Sequence, residues 1–249
     1  MILFKKKNTT TVLMLIWIAI ITLFTRCSVN NSCIGGQGAI TSSTLTLDDF
    51  EILKSTGGIN ITLKQGDTQE VKVIGHSNII NALTTKMNNG LLEIGLEQGC
   101  YRDFDLALEI TIPSITDIDV TGSGTIILDD FTNQNTLKIT LNGSGKIELN
   151  NFEELSSIEA YITGSGRIKI NEELQVANLN LINNGSGDFS GFNLITTNSV
   201  VDISGSGRIE LTVVDALDVS IAGSGKVYYK GTPVITQQIA GTGKLIDAN

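Results

Sequence analysis

Apolar and polar residues alternate along most of the chain, which is the pattern of strands with one buried face. In the C-terminal half this alternation accompanies a repeated triplet, Gly-Ser-Gly or once Gly-Thr-Gly. An apolar residue stands four positions after the start of every triplet, and another stands two positions before six of the seven. The triplets begin 18 to 21 residues apart, at Gly122, Gly143, Gly164, Gly185, Gly205, Gly223 and Gly241.

This repeat of about 20 residues predicts an all-β fold, a parallel β-solenoid in which each triplet is a structural turn between two strands. Glycine suits such a corner because it adopts positive φ without steric cost and lets neighbouring backbones approach closely. One repeat has no core alone, but stacked repeats share a continuous core. The central hydroxyl residues of the triplets would then form one column.

A few positions break the pattern. Asn183, Asp188 and Gly191 depart from it in the fourth repeat, where we predict a bulge or a loosened rung. Asp247 stands at a core position of the last repeat and predicts a frayed or polar end. Residues 171–178 fit a helix or a strand.

The N-terminal residues predict export. Three lysines, at positions 5–7, precede an apolar run at 11–25, which favours a signal peptide in residues 1–26, with an uncleaved membrane anchor as the alternative. Cys27 directly follows and is a candidate for lipidation, although Arg26 occupies a place where a lipoprotein signal has a small residue. Residues 27–47 are a short tether.

We predict one domain over residues 48–249, with irregular strands at 48–115 and the repeats at 116–249. No linker separates the two parts. Because an exported protein can form disulfides, Cys33 and Cys100 are predicted to pair, and two free thiols are the alternative. A disulfide would hold the N-terminal segment against the body.

Charge excludes one class of partner. The formal net charge is −9, and removal of residues 1–26, which contain four basic and no acidic residues, lowers it to −13. Nucleic acid is therefore a poor partner, because binding to phosphates needs a strongly positive surface.

One column of positions is nevertheless basic. The residues three positions after the first glycine are basic in five of the seven repeats. The column is either a solvated flank that discourages lateral aggregation, screened by Glu148 and Glu210, or a stripe that contacts an anionic polysaccharide. Its basic members are Lys146, Arg167, Arg208, Lys226 and Lys244.

The sequence contains no candidate catalytic site. His76 is the only histidine and lies in a predicted turn, so neither a histidine metal site nor a Ser-His-Asp triad is expected. Adjacent carboxylates point to opposite faces of a strand, and solvated loop charge is the simpler interpretation. The triplet lacks the third glycine and following helix of a dinucleotide site. We predict no cofactor and no metal. The carboxylate pairs are Asp48-Asp49, Asp129-Asp130, Glu153-Glu154 and Glu172-Glu173.

From about Asp48 to Pro233, the chain resembles the auto-transporter adhesin head GIN domain family. The resemblance is carried, in order, by GINITLKQGD, EVKVIGHSNII, NNGLLEIG, ITIPSITDIDVTGSG and GSGKVYYKGTPVI. It implies a right-handed β-solenoid that is exported and lipid-anchored in Bacteroidetes-type bacteria. No catalytic residues come with the resemblance.

These observations predict a non-catalytic cell-surface protein in the outer envelope, an adhesin-like or scaffold module that contacts a glycan or a protein. Two alternatives remain open. A carbohydrate-active β-helix enzyme would need several carboxylates converging on one groove. A structural envelope protein would pack one end of the solenoid on a partner.

Overall fold

The computed structural model describes residues 33–249 and forms a β-solenoid. Each rung consists of two strands joined by a corner, and the corners are the glycine triplets. Strands that precede a corner stack into one parallel layer, and strands that follow a corner stack into another. We call these the first layer and the second layer.

The strands of the first layer pair in parallel, one rung to the next. They are β3 (Ile52–Gly57), β10 (Asp117–Gly122), β12 (Thr136–Gly143), β14 (Ser157–Ile162), β16 (Leu174–Asn183), the C-terminal parts of β17 (Asp188–Ile203) and β18 (Arg208–Ile221), and β20 (Val234–Ile239).

The second layer is built in the same way. It contains β4 (Asn60–Gln65), β11 (Thr125–Thr132), β13 (Lys146–Glu153), β15 (Arg167–Ile170), the N-terminal parts of β17 and β18, β19 (Lys226–Lys230) and β21 (Lys244–Asp247). The core lies between the layers, where the alternating residues of both are almost fully buried.

The triplets stack directly on one another. The amide of the central residue donates to the carbonyl of the first glycine one rung below, for example from Ser165 to Gly143 at 2.8 Å. A Cβ on the first glycine of a triplet would collide with that same carbonyl group, as at Gly164. Hydrogen bonding between rungs therefore requires glycine.

Positive φ is not the general reason for these glycines. Of the first glycines of the seven triplets, only Gly122, Gly143 and Gly241 have positive φ, at 138°, 148° and 127°. The others adopt backbone conformations open to any residue, yet a Cβ would still meet the rung below. Close approach of backbones is the constraint that all seven share.

The column of corners begins one rung earlier than the triplets. Gly57 pairs with Gly122, and the Ser123 amide donates to the Gly57 carbonyl at 2.9 Å. Ile59 takes the place of the last glycine, since it lies against Gly124. The sequence does not mark this corner, because its three residues, Gly-Gly-Ile, differ from the repeated Gly-Ser-Gly triplet.

The N-terminal end is closed by additional strands. In the first layer, β7 (Leu91–Leu96) pairs in parallel with β3, and β6 (Leu83–Asn88) pairs antiparallel with β7. In the second layer, β9 (Leu106–Ile112) pairs in parallel with β4, followed outward by antiparallel β5 (Glu70–His76) and β2 (Ile40–Leu45). A short helix, α1 (Ser77–Ile80), buries Ile79 completely at this end.

The order of rungs here differs from the order of the chain. The rung of β3 and β4 lies between the rung of β7 and β9, which comes later in the chain, and the first triplet rung. The chain therefore passes from β9 across a rung to reach β10. Gln65 holds this crossing, because its amide donates to the carbonyls of Pro113 and Thr132 and accepts from the Thr132 amide at 2.8 Å.

A disulfide joins Cys33 to Cys100, across Cα atoms 4.5 Å apart. Beside it, β1 (Ile34–Gly35) pairs with β8 (Tyr101–Arg102). The Asn78 side chain of α1 accepts from the Gln37 amide and donates to the Gly35 carbonyl. The first described residues are therefore held against the closed end.

The irregular fourth repeat keeps its corner at Asn183 and has a bulge further along the chain. Asn183 is fully buried, donates to the Gly187 carbonyl at 2.7 Å and accepts from the Gly185 amide at 2.9 Å. The buried side chain of Asn183 therefore stabilises the corner through these two hydrogen bonds. The register between β17 and β18 shifts after Gly191, so the predicted bulge lies beyond the corner, where the repeat shortens. Of the ambiguous segment 171–178, residues 174–178 form the beginning of strand β16.

Candidate functional site

The predicted basic column lies on the outer face of the second layer. Parallel pairing places Lys146 beside Arg167, and Arg208, Lys226 and Lys244 in successive rungs. Adjacent strands lie about 4.8 Å apart, so the charged groups form a line along the solenoid axis. Asp188 interrupts this line between Arg167 and Arg208.

The first three basic residues of the column are paired with carboxylates. Lys146 bonds to Glu148, Arg167 to Asp188 at 2.9 Å, and Arg208 to Glu210 at 2.6 Å. The hydrogen bond from Lys146 is the main cause that lowers the pKa of Glu148 below its ordinary value. In this part of the column, the protein itself supplies the counter-charges.

The last two residues of the column differ. Within residues 33–249, neither Lys226 nor Lys244 forms an ion pair, and both are exposed. Lys230, on the same face of β19, also has no carboxylate partner there and lies 4.7 Å from the centre of the Phe192 ring. The end of the second layer thus carries three cations without matching anions.

An aromatic ring lies among these cations. Tyr228 is half-buried between Lys226 and Lys230 on β19, and the guanidinium of Arg208 lies 4.2 Å from the centre of its ring. We call Lys226, Tyr228, Lys230 and Lys244 the terminal basic patch. An aromatic ring beside cations can contact the apolar face of a sugar while the cations bind its anionic groups.

Sequence reasoning found two members of this patch and missed two. It followed one column, three positions after the first glycine, and left out the columns five and seven positions after it. Those columns share the outer face because side chains of a strand alternate. Extending the same alternation by two and four residues leads to Tyr228 and Lys230.

The other polar candidates do not converge. His76 ends β5, and its Nδ1 accepts from the Asp105 amide at 3.2 Å, so it supports the loop before β9. Asp129 pairs with Lys64 at 3.5 Å, and Asp130 accepts from Asn151. In the described part of the chain, no three His, Cys, Asp or Glu side chains lie close enough together to hold one metal ion.

A groove of about 740 Å³ lies at the closed end, between the turns that flank β3 and β9. Asp49, Glu51 and Asp67 line it, and Glu51 accepts from the Ser114 hydroxyl at 2.7 Å. The Thr116 amide donates to the Glu51 carbonyl at 2.8 Å. These bonds give Glu51 a role in holding the crossing between β9 and β10.

The candidate lipidation site, Cys27, and the predicted export segment, 1–26, lie outside the described residues. From residue 33 onward, none of the helices has the length and apolarity needed to span a bilayer.

Comparison with known proteins identifies the family. Residues 49–233 match the family described as "Putative auto-transporter adhesin, head GIN domain". The chain belongs to this family. No curated protein sequence matches it.

Solved structures share the fold. A putative adhesin from Bacteroides fragilis has a TM-score of 0.77 at 19% identity, covering 86% of this chain and 99% of that one. A putative lipid binding protein from Parabacteroides distasonis has a TM-score of 0.67 at 21% identity, covering 88% and 100%. A putative adhesin from Parabacteroides merdae has a TM-score of 0.61 at 16% identity, covering 87% and 99%. These relatives confirm the β-solenoid.

Proposed function

We propose that this head GIN domain protein is a non-catalytic, adhesin-like protein of the cell surface that contacts an anionic glycan through the terminal basic patch. The observation that carries the proposal is the contrast along one column. Lys146, Arg167 and Arg208 have carboxylate partners, whereas Lys226 and Lys244 have none within the described residues. An external anion would supply the missing counter-charge.

The placement of the patch supports this role. Lys226 and Lys244 lie in adjacent rungs, and Lys230 lies at the other end of the same strand as Lys226. The three ammonium groups therefore cover the width of the second layer and two rungs of its length. Such a spread fits several charges of a polymer better than one small anion, because each exposed contact is weak and affinity needs many of them.

Export and anchoring complete the proposal. The basic and apolar segments of residues 1–26 would direct export, and Cys27 would carry a lipid. Membership of an adhesin family agrees with a cell-surface location. The disulfide between Cys33 and Cys100 suits an oxidising compartment.

The test is binding of the purified chain to sulfated and uronate polysaccharides, with a neutral polysaccharide of similar length for comparison. We expect saturable binding to the anionic polymers that weakens with added salt, because exposed charges are screened. The triple variant Lys226→Glu, Lys230→Glu, Lys244→Glu should lower the affinity by about a hundredfold, on the order of fivefold for each removed contact.

The matched control is Lys146→Glu with Arg167→Glu and Lys169→Glu, which changes the net charge by the same amount on the same face in the middle rungs. Its binding should fall much less than that of the triple variant. Equal loss in both variants, or unchanged binding in the triple variant, would contradict the patch. Shortening of the polymer by the protein alone would contradict a non-catalytic role.

A lipid surface is the second candidate, favoured by the description of the Parabacteroides distasonis relative as a putative lipid binding protein. Vesicles of phosphatidylcholine with and without phosphatidylserine distinguish the two. Binding to the anionic vesicles alone, with none to the polysaccharides, would assign the patch to membranes instead of glycans.

A further inference from the structure

Exposed apolar side chains lie beside the N-terminal segment, at the closed end of the solenoid. Ile34 and Ile40 are 44% and 54% exposed. Ile40 belongs to β2, the outermost strand of the second layer, and lines a groove of about 310 Å³ together with Ile74 and Phe104. Phe104 also lines a second groove, of about 570 Å³, with Tyr101. We call Ile34, Ile40, Ile74, Tyr101 and Phe104 the tether surface.

The fold holds this surface in place. The rings of Tyr101 and Phe104 pack edge to face, with their centres 6.0 Å apart, and both are partly buried against the core. Ile34 pairs with Tyr101 between β1 and β8. Ile74 lies on the outer face of the second layer, because its neighbour Val73 faces the core. The apolar groups are therefore presented to the outside by ordered strands and a packed aromatic pair.

The N-terminal segment joins the body at this surface. The disulfide fixes Cys33 to Cys100, next to the strand pair of β1 and β8. Cys27, the candidate for lipidation, precedes Cys33 by six residues, which span at most about 20 Å even when fully extended. Residues 33–47 contain no charged residue. A lipid on Cys27 would therefore keep the tether surface close to a bilayer.

We propose that the tether surface rests on the bilayer that carries the N-terminal anchor, so that the solenoid stands on its closed end. This inference rests on the anchoring proposed above and adds the surface that touches the membrane. A single acyl chain holds a protein only marginally, and a second contact makes attachment stable. Branched apolar side chains and rings such as that of Tyr101 suit the boundary between headgroups and acyl chains.

Charged groups around the tether surface indicate which lipids it accepts. Arg102 and Asp103 lie 4.0 Å apart beside it, and Glu97 and Asp105 line the two grooves. These surroundings hold three carboxylates and one cation, so anionic headgroups are repelled. The surface should therefore prefer zwitterionic lipid, the opposite of what the terminal basic patch would prefer.

Standing on the closed end keeps the terminal basic patch away from the membrane. Seven strand spacings separate β9, which follows Phe104, from β19, which carries Lys226. At about 4.8 Å for each spacing, the separation is about 34 Å. The ion pairs of the middle rungs lie between the two surfaces, and pressing them against acyl chains would cost their hydration. The patch is then directed toward an external partner.

Tryptophan fluorescence on vesicles tests the contact. In the predicted mature chain, residues 27–249, tryptophan is absent and Cys27 is the only cysteine outside the disulfide. Cys27 can therefore be coupled to a maleimide phospholipid in phosphatidylcholine vesicles, whether or not the native chain is lipidated. A single tryptophan then reports on one surface at a time, through Ile40→Trp for the tether surface and Tyr228→Trp for the terminal basic patch.

Phospholipids brominated on their acyl chains should quench the Ile40→Trp variant and leave the Tyr228→Trp variant unquenched. A short tether gives an effective concentration in the millimolar range, so a contact of millimolar affinity should quench about half of the fluorescence or more. Adding Ile34→Asp to Ile40→Trp should reduce the quenching at least about threefold, because the carboxylate would have to enter the bilayer. The matched control adds Val234→Asp, at a residue that is 78% exposed in the last rung.

An unquenched Ile40→Trp variant overturns the proposal. Quenching that Ile34→Asp leaves unchanged also overturns it, because the coupling alone would then hold the chain near the lipid. Equal quenching of the two tryptophan variants would mean that the whole outer face lies on the bilayer, and quenching of Tyr228→Trp alone in vesicles with phosphatidylserine would assign the contact to the terminal basic patch. Either result overturns contact through the closed end.

This experiment is independent of the glycan contact, since no polysaccharide is present and the coupling replaces a native lipid. A chain that binds no anionic polysaccharide but shows quenched Ile40→Trp fluorescence would contradict the proposed glycan contact and keep the membrane contact. Saturable polysaccharide binding with an unquenched Ile40→Trp variant would do the reverse.

Discussion

The two ends of the solenoid complete the same core in different ways. At the N-terminal end, antiparallel strands and α1 cover the inner columns, and Ile79 is fully buried. At the C-terminal end, β20 and β21 are the outermost strands, and Ile239 remains 39% exposed. The alternating pattern is the same at both ends. The alternating pattern therefore specifies the structure of one rung. Covering the end of the core requires additional segments that do not follow the repeat.

The charges on the outer face of the second layer also differ between the middle rungs and the C-terminal end. In the middle rungs, three cations of the basic column, Lys146, Arg167 and Arg208, pair with carboxylates of their own or the next rung. In the last rungs, Lys226 and Lys244 of the same column have no such partner within the described residues. Along this column, the charges are matched in the middle rungs and unmatched at the C-terminal end.

The largest expected effect comes from shortening one side chain of the same inner column, either in a middle rung or in the last rung. Ile162, in the middle, is fully buried, and Ile239 occupies the equivalent position in the last rung. Ile162→Ala should lower the free energy of unfolding by about 2–5 kcal/mol, because it leaves a cavity. Ile239→Ala should cost less than about 1 kcal/mol, since much of the side chain is already in water.

Denaturant unfolding of the two variants and the wild type, at one low protein concentration, measures this difference. Similar losses in both variants would show that the last rung is covered in solution under those conditions. Two separate transitions would show that the rungs do not unfold as one unit.

The next effect concerns the closed end. The disulfide joins residues 67 apart in sequence, so replacing Cys33 and Cys100 together with serine should lower the free energy of unfolding by about 2–4 kcal/mol. Hydrogen exchange should show faster opening of β1, β8 and α1, while β18 stays protected. Loss of protection that is equal in β18 and α1 would argue against local reinforcement of this end.

The smallest expected effect on stability comes from comparing the ion pair of Lys146 and Glu148 with the unpaired Lys244. The hydrogen bond from Lys146 lowers the pKa of Glu148, so the folded state gains stability while this carboxylate is ionised. Glu148→Gln should therefore cost about 0.2–1 kcal/mol at pH 7, and Lys244→Gln nothing measurable.

The pH dependence of this difference has a defined sign. Because the pKa in the folded state is the lower one, the contribution is complete above the ordinary pKa of glutamate, about 4.3, and is lost as the pH falls through the folded value. Urea unfolding at pH 7 and near pH 3 checks this. A difference between wild type and Glu148→Gln that persists unchanged in acid would exclude the pair as its cause.

Particular residues show how far sequence reasoning reached. The triplets and the apolar positions beside them predicted the parallel stacking and the inner columns of Ile147, Ile168 and Ile209. The basic column was correctly placed on one face, because alternation fixes the face on which each residue lies. The role given to the glycines needed correction, since close approach between rungs matters at all of them and positive φ at three.

Other features could not be read from the sequence because they depend on contacts distant in the chain. The Gly57 corner has no triplet and is identified only by its pairing with Gly122. The crossing over β3 and β4 depends on the side chain of Gln65, which reaches Pro113 and Thr132. The pairing of Arg167 with Asp188 depends on stacking of successive rungs.

The sequence alone determined the rung: its length, its corner, and which residues face the core. These are local properties, set by the alternation of side chains and by the small size of glycine. Only the tertiary structure decided the order in which the first rungs stack, which cations pair with carboxylates, and which end of the core stays exposed. Those outcomes depend on which strands become neighbours, and residues far apart along the chain supply both sides of each contact.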